Sequence, residues 1–148
     1  MKTKEEMIKH LKEFFKENTF LYEIENVFLY GSWARGFPKQ DSDIDIAVVF
    51  SKESLSKEEC FEYITDISLS LSNEINLDVN VISIDLDFNK PMLYYNAIVL
   101  GEPIFIKDYQ KYVYLKNKAI YNMEDFNVFG IGWQLMAAKK TLESIKNV

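Results

Sequence analysis

The chain has 148 residues, 48% of them apolar and 27% charged, which describes a globular protein with room for one proper core and excludes a disordered one. With 17 Lys and Arg against 23 Asp and Glu the net charge is −6, so a basic grip on the phosphates of DNA or RNA is disfavoured. A single cysteine, Cys60, leaves no internal disulfide or zinc cluster and suits a reducing cytoplasm, and no stretch approaches the ~20 apolar residues of a membrane span.

Residues 4 to 18 place Met7, Ile8, Leu11, Phe14 and Phe15 at helical spacing among lysines and glutamates. An amphipathic helix is expected there rather than a signal peptide. His10, the only histidine, falls on its polar side and reads as a solvent-facing residue. A first strand follows at about 24 to 30, where Val27, Phe28, Leu29 and Tyr30 form an apolar run. It stops at Gly31-Ser32. Glycine permits a positive φ or a close backbone approach, and Ser32 either caps the next short helix or touches a phosphate. Arg35 in that helix reaches a triphosphate or pairs with an acid, and Trp33 packs or meets a base. Gly36 and Pro38 end the helix and open a loop.

A second strand is expected at about 43 to 50. Side chains alternate along a strand, so Asp43 and Asp45 project from one face while Ile44, Ile46 and Val48 project from the other. Adjacent carboxylates repel unless a cation neutralises them, and hard oxygen ligands in this arrangement suit Mg²⁺ shared with substrate phosphates. The bland alternative is a glycine turn with two solvated aspartates at a strand end. Physical chemistry alone therefore points to a metal-dependent phosphoryl or nucleotidyl site.

Ser54 or Ser56 starts the next helix, with Glu59 placed as in a capping box. Cys60, Ile64, Ile67, Leu71 and Ile75 form its core stripe, Cys60 as a small buried apolar residue, and Asn73 to Asn76 breaks it. A third strand at about 77 to 84 carries an unexpected acid, Asp78, near its start; Asp85 and Asp87 read as turn residues. Residues 89 to 100 read as a helix with Asn89 as cap, Pro91 in the first turn and Gly101 beyond the end. A short strand, Ile104 to Ile106, precedes two helices at about 108 to 121 and 125 to 146. The last has a stripe of Ile131, Leu135, Ala138, Leu142 and Ile145 and a second apolar set, Phe129, Trp133, Met136 and Ala137. That wide arc is either buried under the sheet or is a partner or dimer surface.

Gly31-Ser32, ten residues, then Asp43-Ile44-Asp45 resembles the GS-x10-D-x-D signature of the DNA polymerase β-like nucleotidyltransferase superfamily. The wording GSWARG…SDIDIAV resembles its minimal nucleotidyltransferases, including the MntA-type antitoxins paired with HEPN-domain toxins. The motif occupies residues 30–50, and the family's order of elements can be followed over most of the chain. The resemblance implies a single α/β (α+β) domain over residues 1–148, with a small mixed sheet flanked by helices. It implies Mg²⁺-dependent transfer of AMP from ATP to an acceptor hydroxyl, most naturally on a HEPN toxin. The acidic balance argues against stable nucleic-acid binding, and the wide apolar arc of the last helix leaves an oligomer possible. Asp43 and Asp45 would bridge two metal ions to the triphosphate, and Gly31, Ser32 and Arg35 would bind the nucleotide. The superfamily carries a third metal-site acid on a neighbouring strand, and Asp78 is the residue mapped to it. The alternatives are a small-molecule (aminoglycoside-like) nucleotidyltransferase and a non-catalytic antitoxin that acts by binding.

Overall fold

The computed structural model describes residues 3–36, 38, 42–51, 55–85 and 87–146, without the side chains of residues 125–135, 137 and 143–146. The elements are α1 (Lys4–Asn18), β1 (Ile24–Tyr30), α2 (Gly31–Arg35), β2 (Ile44–Phe50) and α3 (Lys57–Ile75), then β3 (Val79–Ser83), α4 (Pro91–Ile98), β4 (Glu102–Ile106) and α5 (Tyr109–Lys146). The four strands form one sheet in the order β3-β2-β1-β4. β1 is antiparallel to both β2 and β4, whereas β2 and β3 are parallel and are joined through α3, the long crossover that parallel neighbours require. This is the small mixed sheet flanked by helices expected from the sequence.

Helix starts follow local chemistry. The Thr3 hydroxyl accepts the Glu6 N–H, and the Ser56 hydroxyl accepts the Glu59 N–H at 3.1 Å, so Ser56 is the cap of α3. Ser54 lies outside the described residues. α3 ends on Asn76, whose φ of 61° is the left-handed conformation that asparagine tolerates. Pro91 occupies the first turn of α4 as expected, but Lys90 takes the cap position. Asn89 Oδ1 instead accepts the Tyr94 hydroxyl at 3.2 Å. Asp85 and Asp87 lie in a turn closed by the Phe88 N–H, which donates to the Asp85 carbonyl.

Strand alternation divides the interior into two cores. On one face Val27, Leu29, Ile44, Ile46 and Val48 pack against Met7, Leu11 and Phe15 of α1 and Ile67 and Leu71 of α3. On the other, Phe28, Ala47 and Val49 pack against Tyr94, Ala97 and Ile98 of α4 and Tyr112, Leu115 and Ala119 of α5. Each large side chain so buried contributes about 1.5–3 kcal/mol. Cys60, at the start of the α3 stripe, is half-buried rather than fully enclosed. His10 is paired with Glu74 Oε2 at 2.9 Å, which ties α1 to α3.

The largest departure from the sequence reading is at the C-terminal end, where the two expected helices are one continuous α5 of 38 residues. The expected break at 122–124 contains neither proline nor glycine, and the two glycines beyond it, Gly130 and Gly132, each cost only about 1 kcal/mol in a helix. Among its described side chains, Tyr112, Leu115 and Ala119 of the first turns are buried against the sheet. Farther along, Met136, Ala138 and Leu142 are exposed. The side chains of Phe129, Ile131, Trp133, Leu135, Ala137 and Ile145 lie outside the described residues. Among the described residues, no helix is long and apolar enough to cross a membrane.

Candidate active site

The end of β1 positions the site. Tyr30 is its last residue and lies beside Asp45 of β2 in the antiparallel register. The chain then turns at Gly31, whose φ of +77° is readily accessible only to glycine. A β-carbon at Gly31 would collide with the Oδ2 atom of Asp45, so the glycine also supplies room for the carboxylate. α2 begins at Gly31 with Tyr30 in the cap position and no side-chain cap, so Ser32 sits within the first turn and does not cap it. The helix closes on Gly36, at φ +81°. Trp33 is buried and donates through Nε1 to the Ser42 carbonyl at 3.2 Å; it packs, and it ties α2 to the start of β2.

Asp43 and Asp45 come together as the alternation requires. The Asn80 amide on β3 marks their convergence: Nδ2 donates to Asp43 Oδ2 at 3.3 Å and to Asp45 Oδ1 at 3.4 Å. Burial raises the Asp45 carboxyl above its ordinary value and the neighbouring Asp43 charge adds to this, while the Asn80 hydrogen bond and the Arg35 charge oppose it. Tyr30 is pushed up to about 12, by burial first and then by the Asp45 charge, and stays a neutral phenol. Arg35 donates through Nε to the Gly31 carbonyl at 3.4 Å, which holds its cationic end on the Asp45 side of the turn.

A cavity of about 460 Å³ opens here, lined by Tyr30, Gly31, Arg35 and Asp45 together with Asn96 and Leu100 from the α4 region. That volume is in the range of small-ligand sites. Gly31, Arg35 and Asp45 are thus gathered around one space, with Asp43 beside it through Asn80; Ser32 is adjacent in the chain but outside the lining. Two ionisable oxygens within reach of one donor are a hard-oxygen set that fits a magnesium-sized cation.

Asp78 is not brought to this group. Its carbonyl accepts the Ile44 N–H at 2.9 Å, and the residue lines a separate depression with Ser72, Asn76 and Leu77. Among the described residues, no cluster of three or more acidic, histidine or cysteine side chains forms. The strand register sets Asn80 beside Asp45 and Val79 beside Ile44, so the position on β3 facing the pair belongs to the amide. Sequence reasoning missed Asn80, Tyr30 and Asn96. Only Asn80 left a signal, as the polar residue in Val79-Asn80-Val81.

A four-stranded mixed sheet, a glycine turn and paired strand-end aspartates beside a cavity define the nucleotidyltransferase class. The family model described as polymerase beta, nucleotidyltransferase matches residues 9–110, and the chain belongs to that family. It is an enzyme of the nucleotidyltransferase type. A relative from Methanocaldococcus jannaschii, named "Putative protein adenylyltransferase MJ1215", is 38% identical over 82 residues, covering 54% of this chain and 83% of its own. Among solved structures, a toxin–antitoxin complex with AMP-PNP aligns at a TM-score of 0.62 and 19% identity, over 84% of this chain and 98% of the other. The MNT antitoxin in complex with tri-AMPylated Shewanella oneidensis HEPN toxin aligns at 0.58 and 17%, over 87% and 98%. At these identities the two structures share the fold.

Proposed function

We propose that this chain transfers AMP from ATP to a hydroxyl of a partner protein of the HEPN toxin type and so acts as an antitoxin. The observation that carries the reading is the convergence of Asp43 and Asp45 beside the Gly31 turn, at the edge of a cavity large enough for a nucleotide. The acceptor class is supported by the relative named as a protein adenylyltransferase and by the AMPylated HEPN toxin in a complex of the same fold.

In this reading Asp43 and Asp45 hold magnesium together with the nucleotide's phosphates, and the ion supplies charge neutralisation and polarisation of the phosphoryl oxygens. The Gly31 backbone would lie against the phosphates, where no β-carbon interferes, with Ser32 next to it in the first turn of α2. Arg35 adds a positive charge on the same side. Asp78 lines a separate depression, so this reading assigns the metal to Asp43 and Asp45 alone. The packing of Tyr112, Leu115 and Ala119 on the catalytic sheet supports one domain for residues 1–148. The exposed apolar residues Met136 and Leu142 support a partner-facing α5.

The test is co-expression with a HEPN-type partner encoded beside it, followed by intact mass measurement. A partner heavier by one or more AMP units with the wild type, and unmodified with Asp43→Asn, is the expected result. An unmodified partner that is neutralised equally well by both proteins would make this a binding antitoxin.

A further inference from the structure

β3 carries an amide at the position facing the acidic pair. Asn80 pairs in register with Asp45, and one amide nitrogen donates to both carboxylates. Because ionised carboxylates only accept, the nitrogen and not the oxygen of the amide faces them. Among the described residues no third acid joins this set, and Asp78 faces a different depression. The donor set therefore has two negative charges, opposed by a neutral dipole from Asn80 and by the nearby Arg35 charge.

We propose that Asn80 is a positioning residue that makes this a two-carboxylate centre, able to take a divalent cation only together with the nucleotide's phosphates. The inference rests on the nucleotidyl-transfer reading and concerns how the ion enters. Magnesium gives up its water reluctantly and is ordinarily held by one or two carboxylates plus phosphate oxygens. With two carboxylates and an amide between them, the protein alone lacks the charge to strip that water. Entry as the metal–nucleotide complex brings the missing anionic oxygens. Asn80 would have to give up its two hydrogen bonds for both carboxylates to hold the ion, which the arriving phosphates would favour. One shared ion, rather than two, is the number this donor set supports.

The experiment titrates Mn²⁺ into the full chain, with and without AMP-PNP and against AMP-PNP without protein, following free Mn²⁺ by electron paramagnetic resonance for wild type, Asn80→Asp and Asn80→Ala and counting as bound only what exceeds the nucleotide's own chelation. Asn80 is exposed, so neither substitution disturbs a core, and circular dichroism checks the fold. The wild type should bind Mn²⁺ with AMP-PNP at least about tenfold more tightly than Mn²⁺ alone. Asn80→Asp should tighten binding of Mn²⁺ alone by about tenfold or more and make the unfolding temperature depend on Mn²⁺, whereas Asn80→Ala should not. Nucleotide-dependent Mn²⁺ binding in the wild type, with Asn80→Asp unchanged toward Mn²⁺ alone, overturns the role of Asn80. Absence of Mn²⁺ binding by the wild type with AMP-PNP overturns the nucleotidyl-transfer reading beneath it.

Discussion

Gly31, at the start of α2, and Asp45 of β2 approach so closely that a single methyl group on the glycine would overlap the carboxylate. Gly31→Ala adds that clash to a positive φ, a backbone strain of about 1–3 kcal/mol for a residue with a side chain. The variant should unfold at a lower temperature and lose at least about tenfold in Mg–ATP affinity as Asp45 is displaced. Thermal unfolding and calorimetry read the two effects separately. Wild-type nucleotide affinity in a destabilised Gly31→Ala would mean that the turn serves the fold alone.

Asp43→Asn and Asp45→Asn should separate stability from binding. Asp45 is a half-buried anion beside another anion, so Asp45→Asn should leave the unfolding temperature equal or higher. Mg–ATP affinity should fall by at least about tenfold, and the double variant should bind ATP without regard to metal. Equal ATP affinity of the wild type with and without Mg²⁺ would remove the carboxylates from the role assigned to them.

Asn26 of β1 is fully buried, and neither its side-chain oxygen nor its side-chain nitrogen has a hydrogen-bond partner. A buried polar group left unpaired costs about 1–3 kcal/mol. Asn26→Val, similar in volume and better suited to a strand, should raise the urea midpoint by a comparable amount with an unchanged slope. A lower midpoint would show that the amide is satisfied in solution.

Much of this architecture is readable along the chain because it is local. The stripe Met7, Leu11, Phe14 and Phe15 predicts α1, Ser56 with Glu59 predicts the start of α3, and Gly31 with the alternation at Asp43 and Asp45 predicts the centre of the site. What fails is what depends on partners. Asp78 and Asn80 have the same parity on the third strand, and a search for carboxylates selects the acid. Only pairing with β2 shows which of the two faces Asp45. The continuity of α5 escaped for a related reason: polar residues near 122–125 resemble a loop, although none of them is a strong helix breaker. Asn96 and Tyr30 reach the cavity through tertiary packing, which leaves no periodic trace.

Cys60 offers a pH test outside the site. Burial pushes its thiol up, and the Asp85 and Glu59 charges push it further in the same direction. Less thiolate is then present at any given pH, so alkylation by iodoacetamide at about pH 8 should be slower than for a free thiol. The rate should climb only at higher pH, and Asp85→Asn should bring that rise to lower pH. Mass spectrometry of the alkylated protein gives the rates. A Cys60 that reacts faster than glutathione would contradict this environment.

β3 is an edge strand of five residues bonded to one neighbour, whereas β2, which carries Asp45, lies between two, as β1 does. The acidic pair is therefore carried by an interior strand and its amide by a marginal one. Strands held on one side open by local fluctuation at lower free energy than those held on both. Amide exchange at β3 should thus run ahead of that at β1 and slow markedly when nucleotide and metal are bound. An edge strand would then report occupancy of a site carried by the interior strand beside it.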